Sequence, residues 1–112
     1  PRLVIALLLC LGLALSAAAE VRFQKVAENV YVHVGDVGAR TVQNEALNAN
    51  IGLVVAPGGA IVIDPGATFL SARDIHQAVA RITPLPVRWV INTGGQDHRW
   101  LGNGYFRDQG AE

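Results

Sequence analysis

Asp97 and His98 are adjacent in a loop that also holds Gly94, Gly95, Gln96 and Arg99, and no other stretch of the chain is better suited to chemistry. A carboxylate beside an imidazole offers an oxygen and a nitrogen ligand to a divalent metal, or an acid–base pair in which Asp97 takes or orients a proton. A loop at the carboxyl end of a strand is where α/β proteins place such groups. The plainer expectation is that Asp97 caps a helix beginning near Arg99 while His98 faces water. Gly94 and Gly95 allow positive φ and close backbone approach, so their amides could form an anion-binding concavity beside Arg99. His76 falls at the boundary of an apolar helical stripe, and His33 alternates with Val32 and Val34, which predicts a solvated face; neither reads as a ligand. Trp100 and Tyr105 either line a pocket or pack the loop onto a sheet.

The elements that must position this loop follow from periodicity. Val21 and Phe23, then Val30, Val32 and Val34, alternate about Glu28 and Asn29 and predict an antiparallel hairpin over 21–34. Gly35 to Asn50 has no steady period and reads as a long loop, a length that often carries function. Ile51–Val55 and Ala60–Ile63, joined by Pro57, Gly58 and Gly59, predict a tight hairpin of strands buried on both faces. Asp64, Pro65 and Gly66 stop the second of them. From Thr68 or Ser71, either of which can cap a helix, Ala72, Ile75, Val79 and Ile82 recur at helical spacing until Pro84. Val87–Ile91 is a further buried strand, Asn92–Gly95 its exit turn, and 99–109 the start of a short helix that should feed another strand. Four strands, a helix, a strand, a loop and a helix describe an α/β layer that is not closed.

Arg2, the apolar stretch from Leu3 to Leu15 and the small residues Ser16 to Ala19 read as a secretory signal peptide over 1–19, with cleavage before Glu20. The stretch is shorter than the roughly 18–20 residues that cross a bilayer, so no stable membrane anchor is expected after cleavage, and the location expected is periplasmic or secreted. The chain opens on proline, so at least one residue is expected ahead of it. Removing Arg2 with the leader leaves eight basic residues against nine acidic ones in a partial domain over 20–112, without a basic block, which argues against nucleic acid as a partner. Cys10, the only cysteine, departs with the leader, leaving neither a disulfide framework nor a thiolate ligand.

Three blocks in order, Val26–His33, Asn50–Gly66 and Val90–Thr93 followed by Trp100–Asn103, resemble the amino-terminal half of metallo-β-lactamase-fold hydrolases. Within that superfamily the chain most resembles the periplasmic branch that includes the quinoprotein relay system zinc metallohydrolases. The resemblance implies the first half of a four-layer αβ/βα sandwich, incomplete here. It also implies an unidentified small-molecule substrate and hydrolysis by zinc-bound hydroxide in the full-length parent. Asp64 resembles the aspartate of the family's Asp-X-Gly turn, whose role there is to organise the floor of the site through hydrogen bonds.

The family's loop reads Thr, His, any residue, His, any residue, Asp, His. Laid against it without gaps, this chain has Gly94 and Gln96 at the two histidine positions and His98 and Arg99 at the Asp-His pair. Sliding by one residue matches Asp97-His98 to Asp-His, but Thr93 and Gly95 then stand for the histidines. Glycine cannot ligate, glutamine is a weak zinc ligand, and arginine stays cationic and repels a metal. The 112 residues are therefore expected to show neither activity nor tight metal binding. Two readings of the parent follow: a metal-dependent hydrolase in which Asp97 and His98 join ligands from elsewhere in the protein, or a non-catalytic exported binding or accessory protein that kept the fold and lost the usual metal site.

Overall fold

The computed structural model describes residues 19–112; the expected leader, apart from Ala19, lies outside them. Five strands form one sheet in the order β1 (Gln24–Ala27), β2 (Val30–His33), β3 (Ile51–Ala56), β4 (Gly59–Ile63) and β5 (Val87–Ile91). The first four pair antiparallel in sequence order, and β4 pairs β5 in parallel. That change of direction requires a crossover, which the helix α1 (Phe69–Ala80) supplies. A 3₁₀ turn (Asp97–Arg99) and a short helix α2 (Asn103–Asp108) follow β5.

Helix α1 starts where its first-turn amides find partners. Thr68 is the N-cap: its hydroxyl accepts from the Ser71 amide at 3.0 Å while the Ser71 hydroxyl accepts from the Thr68 amide at 3.0 Å. Such a reciprocal cap is worth about 1 kcal/mol. Ala72, Ile75, Ala78 and Val79 then join Ile51, Leu53, Ala60, Val62 and Val87 in one core, and Phe106 of α2 completes it with no exposed surface.

The apolar runs have the composition of strands buried on both faces, but a helix layer over one face only is expected to leave apolar strand surface wet, and so it does: Val54, Ile61, Ile63 and Trp89 are half-buried and Ile91 is 48% exposed. Strand β5 is less buried than expected, since among the described residues only Glu112 reaches its outer edge. There Val90 donates to the Glu112 carbonyl and the Glu112 amide to the Arg88 carbonyl, both at 2.8 Å, the bonding of an incoming parallel strand.

The first hairpin is also displaced. Val21 and Phe23 lie ahead of β1, and Val21 is buried in the core. This entering segment crosses over the end of β2, which corrects the expectation for His33. The residue is 8% exposed, not solvated, and its Nδ1 accepts from the Arg22 amide at 3.1 Å. A buried imidazole needs such a partner, and the chain just before the hairpin provides it.

Candidate functional site

The site is built where β4 and β5 end side by side. Beyond β4 the backbone turns sharply at Asp64 (φ 60°), whose amide still donates to the Ile91 carbonyl at 2.9 Å. The Asp64 carboxylate, in a residue only 7% exposed, lies under the exit of β5. One of its oxygens accepts from the Thr93 amide at 2.8 Å and the other from the Thr93 hydroxyl at 2.6 Å. The same hydroxyl accepts from Arg99 Nη1 at 2.7 Å, and that nitrogen stands 3.9 Å from the carboxylate. A buried carboxylate is thus bonded by two donors and faced by a cation, which offsets the cost of burying it.

Next to this floor the loop is tied to α2. Asn92 and Asn103 exchange side-chain hydrogen bonds at 3.0 and 2.8 Å, and Asn92 also donates to the Arg99 carbonyl. Gly102 donates to the Gly66 carbonyl at 2.9 Å, and a Cβ on Gly102 would stand 2.2 Å from the Pro65 carbonyl oxygen, so only glycine fits that contact. Trp100 turns its Nε1 onto the Gly95 carbonyl at 3.1 Å while its ring lines an open groove of about 530 Å³ along the outer edge of β5. Tyr105 does not share that groove. It bonds His76 Nδ1 at 2.9 Å and packs edge-on against Phe69 and Phe106, joining α1 to α2.

Over the floor lies a contact that the sequence did not announce. Arg40, from the long loop between β2 and β3, engages both oxygens of Asp97 through its two terminal nitrogens, and its Nη2 lies 3.0 Å from His98 Nδ1. Because a guanidinium only donates, His98 Nδ1 is the acceptor and the ring proton belongs on Nε2. Arg40 is braced by Asn44, whose side-chain oxygen accepts from the Thr41 and Ala46 amides and whose amide donates to the Ala39 carbonyl. The hydrogen bonds from Arg40 hold the Asp97 carboxyl down at about 2, so it is ionised and saturated with donors at neutral pH.

Three local expectations change accordingly. Asp97 does not cap the following turn: the N-cap is Gln96, without a side-chain bond, and Asp97 accepts from the neighbouring His98 amide and from Arg40. His98 does not simply face water, its side chain being 18% exposed. Gly94 and Gly95 do not use positive φ. A Cβ on Gly94 would instead stand 3.2 Å from Cδ of Arg99, so the glycine makes room for the arginine, whose Nε is buried without a hydrogen-bond partner among the described residues.

Zinc, which the family resemblance implies, can be weighed against these donors. Among the described residues no three His, Cys, Asp or Glu side chains come together. Asp97 and His98 are the pair nearest to a ligand set, and both present their acceptors to one guanidinium, with a second guanidinium beside Asp64. Two cations beside these candidate ligands are electrostatically opposed to a metal, and the loop with Arg40 in place does not fit a zinc ion.

Residues 44–109 match the family model of the metallo-beta-lactamase superfamily. No curated protein sequence matches the chain. Solved structures share its fold. The metallo-beta-lactamase FIM-1 from Pseudomonas aeruginosa, in a mono-zinc form, superposes with a TM-score of 0.66 at 19% identity over 84% of this chain and 41% of its own. A metallo-beta-lactamase from Pontibacter korlensis gives 0.62 at 18% identity, over 82% and 41%. One from Erythrobacter litoralis, with beta-mercaptoethanol in its active site, gives 0.61 at 20% identity, over 80% and 39%. The chain spans about two fifths of the length of each, and so corresponds to part of that fold.

Proposed function

We propose, proceeding from the fact that this chain belongs to the metallo-beta-lactamase superfamily, that it is part of an exported binding or accessory protein which keeps the fold and uses the loop after β5 without a loop-held zinc. The observation that carries this reading is the Arg40 guanidinium on both Asp97 oxygens and against His98 Nδ1. A side chain that supplies fixed donors to a ligand pair satisfies those acceptors without metal, and must be displaced before a metal could enter. Export rests on the leader-like residues 1–19, and the ligand expected is a small molecule rather than nucleic acid or a membrane.

A second reading is favoured by the family match itself. In a metal-dependent hydrolase, Asp97 and His98 would hold or orient one zinc together with ligands outside this chain, once Arg40 swings away. Fold membership alone does not decide between the two, since one fold hosts many chemistries. Elemental analysis of the full-length mature protein by plasma mass spectrometry decides. We expect well under one zinc or iron per chain, unchanged in Asp97→Ala and His98→Ala. Near-stoichiometric metal that drops in both variants would overturn the first reading in favour of the hydrolase.

A further inference from the structure

We propose that the segment from Gly35 to Asn50 is a proton-sensitive strap: while one proton is shared between Glu45 and Asp74 it lies on α1 and delivers Arg40 to Asp97 and His98, and loss of that proton lifts it and frees the pair. The inference concerns the opening of the clamp and stands whether the loop after β5 takes a small molecule or a metal.

The strap is anchored at both necks and in the middle. Gly35 donates to the Asn50 side chain at 3.2 Å and Asp36 to the Leu47 carbonyl at 2.9 Å, with Leu47 buried beneath. In the middle Thr68, the cap of α1, donates to the Glu45 carbonyl at 3.4 Å. Glu45 and Ala46 hold left-handed backbone (φ 51° and 60°), which non-glycine residues keep only when the surroundings impose it.

Local bonds hold that turn, Ala46 donating to the Asn44 side chain at 3.0 Å and Leu47 to the Asn44 carbonyl at 2.8 Å, and the turn sets Glu45 against α1. Glu45 Oε2 and Asp74 Oδ2 are both buried, and among the described residues neither meets a hydrogen-bond donor while both carboxyls are ionised. Two carboxylates in that position repel each other and go unsolvated; one proton between them turns the conflict into a hydrogen bond. The other charged group facing Glu45 from the helix is Arg73, whose Nη2 lies 3.4 Å from Asp74 Oδ1 and only partly compensates. Burial first, and the hydrogen bond with Asp74 second, lift the Glu45 carboxyl to about 7. The strap's hold is therefore set to change around neutrality, where an ordinary glutamate has long since ionised. Arg40 sits five residues before Glu45 in the same braced turn, so lifting the middle of the strap carries the guanidinium off Asp97.

Hydrogen–deuterium exchange of the full-length protein, corrected for intrinsic rates and compared near pH 6 and pH 8.5, tests this. We expect peptides over 42–48 and 94–100 to exchange about tenfold faster at the higher pH. Glu45→Gln, whose amide donates to Asp74 without titrating, should hold both peptides protected at both pH values, and Asp74→Asn should do the same if the first variant does not fold. In Arg40→Ala the 94–100 peptide should exchange fast at both pH values while 42–48 keeps its pH dependence. Equal exchange of the wild type at the two pH values would overturn the proposal. So would pH dependence that persists in Glu45→Gln, or protection of 94–100 that survives loss of Arg40.

Discussion

Two arginines hold the loop after β5, and they do so in opposite ways. Arg99 bonds Thr93 above Asp64, within a floor whose carboxylate belongs to a residue 7% exposed and whose partners belong to the two strand ends it joins. Arg40 reaches Asp97 from a loop 57 residues away in sequence, and the two side chains are 41% and 44% exposed. Opening the floor strips the buried Asp64 carboxylate of its two donors, whereas water can replace every bond of the clamp. One arginine belongs to the fold and the other to its regulation.

The comparison is broken most severely at the floor. Asp64→Ala should lower unfolding stability in urea by about 2–4 kcal/mol, because the Thr93 donors lose their acceptor, Arg99 loses its counter-charge and alanine resists a φ of 60°. Asp64→Asn, which tolerates left-handed backbone and keeps an acceptor, should cost less than half as much. A loss under about 1 kcal/mol for the alanine variant would show that the floor is no part of the fold's stability.

A medium effect belongs to the strap. The Glu45 carboxyl is raised in the folded state from 4.5 to about 7, so the folded protein binds the proton more tightly. Its contribution is present in full below pH 4.5 and is lost as pH rises through 7. With solvent screening at a surface loop, the melting temperature should fall on the order of 2–4 °C across that window, and Glu45→Gln should flatten the fall in calorimetry. An equal fall in the variant would place the proton elsewhere.

Smaller effects sharpen the contrast. Gly94→Ala sets a methyl 3.2 Å from Arg99 Cδ, the middle of a flexible side chain, so stability should drop by only about 0.5 kcal/mol while the Arg99 to Thr93 bond loosens in a crystal structure. Smallest of all, Arg40→Ala should leave the melting temperature within about 1 °C at neutral pH. The wild-type clamp itself has its own pH limit. At the acid end, the Asp97 carboxyl is depressed from 3.8 to about 2, so its own ionisation keeps the contact down to pH 3.8 and gives it up as pH falls through 2. Detachment of Arg40 already at pH 4, followed by nitrogen NMR of its guanidinium, would contradict that geometry.

Much of the fold was legible because it is local. The Pro57–Gly59 turn, the Thr68 cap and the stripe of Ala72, Ile75 and Val79 each declare themselves within a dozen residues, and their order carried the family resemblance. His33 and Arg40 were not legible, for one shared reason. Each takes its role from a segment that passes over it or that it reaches across, Ala19–Phe23 in one case and Asp97–His98 in the other, and no periodicity records such a crossing. Arg40 did leave a faint signal, as a lone cation between Gly38 and Asn44 in a loop too ordered by asparagines to be idle. The pairing of Glu45 with Asp74 left none.

The reciprocal amide pair of Asn92 and Asn103 sets a chemical clock on the loop. Asn103 precedes Gly104, a dipeptide in which the following amide readily attacks the side chain and expels ammonia. Here both side-chain atoms of Asn103 are engaged by Asn92, and helical backbone from Asn103 onward keeps that amide from the attacking geometry. Slow ageing of the protein should therefore begin only after the pair opens, and a carboxylate left at this position could no longer donate to Asn92. The reciprocal pair would then be reduced irreversibly to the one bond that Asn92 donates, one molecule at a time.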